Sequence, residues 1–300
     1  MPSNPPREQA IGIAGCGRLA QALGRLLAGR GEPIAAIAGR DPARTLAAAG
    51  FIGQGDAVTI RELPERAARI IIAVPDRAID EVARELVASG MTDGIVLHTS
   101  GARGTEPLGP LRAKGVLCGT LHPLQTVASP EQGIAALPGS AFAISGQGAA
   151  RGWAIRLVAL LDGQVLTIPD DRRALYHAAA VMAGNYVIAM LDAAVTLLAE
   201  TGVDRATALR ALGPLARASL ANALDDDPVE ALTGPIERGD AATVDAHLSA
   251  MGSRHGLESI EHLYRAAGLH TLNLASRGGL ADPQAATLAE ALAEGESIHV

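Results

Sequence analysis

The chain has 300 residues, 48% of them apolar, which is enough to bury two ordinary cores. A formal charge of -7 with no basic cluster excludes the electrostatic footprint of nucleic-acid binding or of an anionic membrane surface, and leaves a small molecule as the expected partner. Aromatic residues are only 2% of the chain, so close packing through small side chains is expected and chemistry that needs aromatic stacking is not.

The first ten residues, "MPSNPPREQA", are polar and proline-rich, which reads as a frayed lead-in rather than a signal peptide. Residues 10 to 15, "AIGIAG", form an apolar run ending in glycine, and the following segment has Leu19, Leu23, Leu26 and Leu27 at helical spacing before it stops at Gly29 and Gly31. That is strand, tight turn, helix. "PIAAIAG" is the next strand, and "DPARTLAAAG" the next helix, with Asp41 at the N-cap and Pro42 at the first helical position. "RIIIAVP" is a buried strand with "DRAIDEVARELVASG" as its amphipathic return, and "GIVLHTSG", "GVLCGTLHP", "SAFAISG" and "GQVLTIP" are four further strand-like runs. Such alternation predicts an α/β, doubly wound, mostly parallel sheet that binds ligands beyond the carboxyl ends of its strands.

Gly15, Gly17 and Ala20 make a G-x-G-x-x-A fingerprint between strand and helix, with Cys16, Arg18 and Leu19 completing the loop. Gly15 permits the tight turn, Gly17 lets the backbone approach a pyrophosphate, and Ala20 keeps the helix close to the sheet. At the end of the second strand, where NAD-binding chains usually place an acidic residue, stand Gly39 and Arg40, followed by the capping Asp41. A guanidinium there suits a 2′-phosphate, so NADP is expected over NAD, the other reading of Arg40 being a solvated charge. Val74-Pro75-Asp76 and His98-Thr99-Ser100-Gly101 close two strands at the same edge and would lie along the cofactor. For Asp76 a helix cap, for Ser100 a turn-shaping role, and for His98, on equal terms, a structural hydrogen-bonding role are the alternatives.

From about residue 170 the pattern turns entirely helical, with segments at 172 to 200, 204 to 224, 240 to 251 and 256 to 275 and a tail helix at 283 to 294. Two domains follow, 1 to 169 and 170 to 300. Residues 174 to 191 lack charged side chains, yet His177 and Asn185 fit the central helix of a bundle better than a membrane span. By the helical step of about 100°, position 184 returns to the face of His177 and Asn185 lies about 80° away. Arg238, in the turn "LTGPIERGD", is either a holder of a substrate carboxylate or a member of a surface ion pair, and Asp240 is a helix cap. Cys16 and Cys118 read as packing residues, neither they nor the eight histidines show metal-ligand spacing, and no metal is expected. The cysteine usage fits a reducing cytoplasm.

The stretches "VLHTSGA", "LHPLQT", "ALYHAAAVMAGNY" and "LTGPIERGD" resemble the Rossmann-like oxidoreductases whose C-terminal half is the domain of unknown function DUF2520. That group is similar to 6-phosphogluconate dehydrogenase, ketopantoate reductase, pyrroline-5-carboxylate reductase and prephenate dehydrogenase. The resemblance implies an NADP(H)-dependent oxidoreductase, with reduction of a small 2-oxo acid or related carbonyl, ketopantoate among them, as the leading expectation. Prephenate-type or 3-hydroxy acid dehydrogenation is the alternative within enzymes, and a non-catalytic NADP-binding sensor or assembly protein is the alternative outside them. It also implies a homodimer through the helical domain. Several relatives carry Lys-x-x-x-Asn on the first long helix; Asn185 matches the asparagine, whereas Val181 stands at the lysine's place and the only lysine of the chain is Lys114. His177 is the substitute expected to supply the proton, with Asn185 holding the carbonyl oxygen, the other reading of His177 being a buried histidine satisfied inside the helical bundle. His122, in a His-Pro pair like that of prephenate dehydrogenase, is the second candidate acid, with Gln125 beside the substrate.

Overall fold

Apolar runs and amphipathic returns alternate through the first half of the chain, and each pair becomes one strand and one covering helix. The computed structural model describes residues 6–293. Met1 to Pro5, half of the expected lead-in, and Glu294, the expected end of the tail helix, lie outside the described residues. The elements are β1 (Ile11–Ala14), α1 (Arg18–Gly29), β2 (Ile34–Ala38), α2 (Pro42–Ile52), β3 (Asp56–Val58), α3 (Leu63–Arg66), β4 (Arg69–Ile72), α4 (Ile79–Ala88), β5 (Ile95–His98), α5 (Gly109–Arg112), β6 (Leu117–Pro123), α6 (Pro130–Ala136), β7 (Ala141–Gly146), α7 (Gly148–Leu160) and β8 (Gln164–Thr167). One sheet runs in the order β3-β2-β1-β4-β5-β6-β7-β8. Every pairing is parallel except β6 with β7, where Pro123 faces Phe142 and Gly119 faces Gly146.

Alternation along the strands divides the core into two layers. Ile11, Ile13, Ile71 and Leu97 pack with α1, α6 and α7 on one face, while Ala14, Ile70, Ile72 and Val96 pack with α3, α4 and α5 on the other. Strand β3, only three residues long and mostly exposed, has no counterpart in the sequence reading, because an edge strand of that length is too short for periodicity to register. The Asp41 carboxylate accepts from the Ala43 and Arg44 amides, as a cap should.

The helical half contains α8 (Arg173–Val181), a π turn (Met182–Tyr186), α9 (Val187–Ala199), α10 (Arg205–Asp225), α11 (Ala241–Gly252), α12 (Glu258–Arg277) and α13 (Asp282–Ala293). The continuous helix expected at 172 to 200 is therefore interrupted. The π turn closes i→i+5 rather than i→i+4 hydrogen bonds, so the 100° step relating His177 to Asn185 does not carry across it. Gly184 sits in the middle of this wide turn, where an added Cβ would meet nothing nearer than the Thr126 methyl at 3.9 Å.

The chain separates into two compact units at Asn185/Tyr186, whereas the sequence pattern changes near residue 170. The intervening residues belong with the sheet because their side chains bind it: Asp170 accepts from the Thr105 amide and hydroxyl, Arg173 donates to Thr120, and Tyr176 bonds His122. The second unit has its own core of Val244, Leu248, Met251, Leu272, Leu288 and Leu292, with Asp204 and Asp240 capping α10 and α11. Among the described residues one helical stretch, Asp170–Ala199, is long and apolar enough to cross a membrane by length and composition, and Asp192 within it pairs with Arg205.

Candidate functional site

The turn after β1 is shaped by backbone crowding. Gly15 has φ 131°, and a Cβ there would lie 2.2 Å from the Ala73 carbonyl oxygen. Only glycine satisfies both demands. The Gly15 amide donates to Ala38 and the Ala73 amide to Ala14, which ties the carboxyl ends of β1, β2 and β4 together at the switch point of the sheet. Gly17 is the N-cap of α1 with no side-chain cap, and a Cβ on it would touch nothing within 4 Å. The first-turn amides of α1 therefore face open space that an anion can approach.

A cavity of about 240 Å³ opens from this turn. Gly15, Cys16, Gly17, Gly39, Arg40, Val74 and Pro75 line it, as do Arg44 on α2 and, across from it, Glu81 and Glu85 on α4. Arg40 and Arg44 are exposed and make no ion pair among the described residues. Arg44 lies four residues beyond Arg40 and escaped the sequence reading because it falls inside a helix, away from the fingerprint. Of the other expected cofactor residues, Ala20 is buried and Leu19 partly buried in the layer under α1, Arg18 donates to the Ala128 carbonyl, and Thr99 donates to the Ile72 carbonyl. Asp76 is exposed and makes no helix cap; Pro75 occupies that position.

The carboxyl ends of β5 and β6 hold a second cluster. Register pairs His98 with Thr120, and Thr120 with Ser145. His98 is fully buried and spoken for: its Nδ1 accepts from the Ser100 amide, which leaves Nε2 to donate to the Gly104 carbonyl at 2.5 Å. Burial lowers its pKa and keeps it neutral. The loop after β5 is tied down further by the Ser100 hydroxyl, which accepts from the Arg103 amide, and by the Arg103 ion pair with Asp80.

Two residues along β6 from Thr120, on the same face, stands His122. Its Nδ1 shares a 2.7 Å hydrogen bond with the Tyr176 hydroxyl, and its ring lies 6.2 Å from that of His177 at 77°. A Cβ on Gly101 would sit 2.7 Å from His122 Cε1 and Nε2 and 2.9 Å from His177 Nδ1, so bare backbone forms the wall against both rings. Burial, reinforced by His177, pushes His122 down to about 4, and burial pushes the Tyr176 phenol up to about 12. His177 Nδ1 is buried without a hydrogen-bond partner.

Beneath this pair lies Arg173, 1% exposed. Its Nη2 donates to Thr120, but Nε and Nη1 have no hydrogen-bond partner, and the nearest carboxylate, Asp170, is 3.9 Å away. Arg173, Tyr176 and His177 stand at i, i+3 and i+4 of α8 and so share one face, directed at β6. That spacing is legible as R-x-x-Y-H, but the functional residues Arg173 and Tyr176 acquire meaning only beside His122.

The remaining expected residues are more scattered. Asn185 is exposed, at the end of the π turn. Gln125 is exposed and tied locally, its amide donating to Ala136 and Ser140 and its oxygen accepting from Thr126. Arg238 is exposed in a turn of the helical unit. Among the described residues no three His, Cys, Asp or Glu side chains are placed to hold a metal.

Comparison with known proteins bears on this arrangement. Over 90% of this chain and 99% of the other, the structure is similar to that of a Bacteroides fragilis protein assigned as an NADP oxidoreductase, with a TM-score of 0.71 and 21% identity. A Thermotoga maritima protein is similar over 89% and 98% of the two chains, with a TM-score of 0.68 and 21% identity. A pyrroline-5-carboxylate reductase of Coxiella burnetii covers 95% and 98%, with a TM-score of 0.57 and 13% identity. No curated protein matches the chain. The Rossmann-like domain model matches residues 3–123, and the domain of unknown function DUF2520 matches residues 140–271. The chain therefore joins a Rossmann-like domain to a DUF2520 domain.

Proposed function

We propose that the protein is an NADP(H)-dependent oxidoreductase that reduces a small 2-oxo acid or related carbonyl compound. One observation carries this reading: a single sheet edge holds both a cavity flanked by a glycine turn and two free arginines, and a cluster of proton-bearing side chains. The cavity fits the group, since Gly17 leaves the pyrophosphate's approach open and Arg40 with Arg44 suits a 2′-phosphate. Bound NADPH supplies hydride there. His122 and His177 flank the proposed place of proton delivery, Ser100 and Gln125, on the loops after β5 and β6, are the proposed substrate contacts, and Asn185 is the proposed holder of the carbonyl oxygen. The proposed carboxylate-binding role of Arg238 is read from the KM of R238A.

A second reading replaces C=O by C=N. It is favoured by the pyrroline-5-carboxylate reductases and an imine reductase of Streptomyces aurantiacus among the similar folds. Loss of reduced-nicotinamide absorbance against a panel of 2-oxo acids, aldehydes and imines tests both. Turnover of a member of the panel, weakened in H177A and N185A while NADPH still binds, is expected. Tight NADPH binding with no turnover at all overturns the enzyme reading in favour of a sensor. Arg40→Ala with Arg44→Ala should weaken NADPH by about tenfold to a hundredfold and NADH little, since charge-assisted hydrogen bonds are worth about 1.5–3 kcal/mol.

We also propose a homodimer, because α9 and α10 share an apolar groove lined by Val187, Leu191, Leu209 and Leu220 and leave Leu215 64% exposed. Light scattering of the parent and of L215D checks it, a monomeric parent being the overturning result.

A further inference from the structure

We propose that Tyr176 is the proton donor of the site, with His122 and Arg173 as its positioning residues. This rests on the oxidoreductase reading above. The hydrogen bond between His122 and Tyr176 is 2.7 Å, and it is closed behind by the Gly101 backbone against the His122 ring. We assign His122 the tautomer in which Nδ1–H donates to the phenol oxygen, which turns the Tyr176 O–H away from His122 and leaves it to point at a substrate.

Arg173 supplies a permanent positive charge one helical turn from the phenol. A buried guanidinium with two nitrogens unpartnered is costly unless its charge is used. A negative charge that forms only during the reaction uses it. As hydride forms the new C–H bond, the Tyr176 O–H bond breaks and its proton passes to the substrate oxygen or nitrogen. The phenolate left behind is held by the His122 Nδ1–H and the Arg173 charge until water returns a proton.

His122 is unsuited to be the donor itself. Burial together with His177, Arg173 and His98 keeps it neutral against the opposing pull of Asp76, so it carries no imidazolium proton near neutrality. Tyr176 is protonated over the same range, with burial raising and Arg173 lowering its titration.

The test uses the full chain and its Y176F, R173M and R173K variants. Only three tyrosines, Tyr176, Tyr186 and Tyr264, are present, so the carbon-13 resonance of the Tyr176 ring is assigned by its loss in Y176F. The Tyr176 midpoint should rise in R173M and return in R173K. NADPH binding should stay within about threefold in Y176F while kcat falls by about 10²-fold or more. Should R173M lose NADPH binding, R173Q takes its place. An unmoved Tyr176 midpoint in the neutral variant overturns the role of Arg173. A kcat in Y176F within about threefold of the parent overturns the role of Tyr176 and leaves the oxidoreductase reading standing, whereas a parent that turns over nothing overturns both.

Discussion

Two regions of one sheet edge are built by opposite means. At β1, β2 and β4 the candidate cofactor cavity is made by the backbone: what counts is where side chains are absent, at Gly15 and Gly17. At β5 and β6 the proton-bearing cluster is made by side chains, placed by strand register and by the i, i+3, i+4 spacing of α8. The first kind of site fails when an atom is added. The second fails when a neighbour shifts.

Adding an atom should therefore have its largest effect at the backbone-made region. Gly15→Ala puts a methyl 2.2 Å from a carbonyl oxygen in a left-handed conformation, and a loss of about 3 kcal/mol or more in stability, with loss of NADPH binding, is expected in thermal melts and fluorescence titration. Gly101→Ala sharpens the contrast, because its methyl meets side-chain rings that are able to move. It should cost about 1–3 kcal/mol by overpacking and weaken turnover more than NADPH binding. A smaller effect comes from protons alone. His122 titrates near 6.5 when unfolded and about 4 when folded, so its contribution to stability is full above pH 6.5 and is lost as pH falls toward 4. Between pH 6.5 and 5.5 the protein should lose on the order of 1 kcal/mol from this group, and H122N should flatten that part of the urea-melt profile.

The contrast also explains what could be read in advance. The doubly wound sheet, the fingerprint turn and the caps at Asp41 and Asp240 were legible because each depends on residues adjacent in sequence. Arg44 was not, since it stands inside α2, away from the fingerprint, and joins Arg40 only in the lining of the folded cavity. Tyr176 and Arg173 were hidden for the same reason: one meets β6 at His122 and the other at Thr120, more than fifty residues away. The π turn left no periodic trace. His98, expected equally to be structural or functional, is committed through both ring nitrogens to its own loop.

The single antiparallel pairing has a consequence for what can be accommodated. At the edge where β1, β4, β5 and β6 end, β7 begins, so Ala141 and the Gln125 loop, laced to Ala136 and Ser140, stand where a further parallel strand would have lengthened the crevice. The reversal sets the start of a strand, rather than the end of one, beside Pro123, and the Leu124 amide donates to the Ala141 carbonyl there, so the backbone just beyond His122 is already paired.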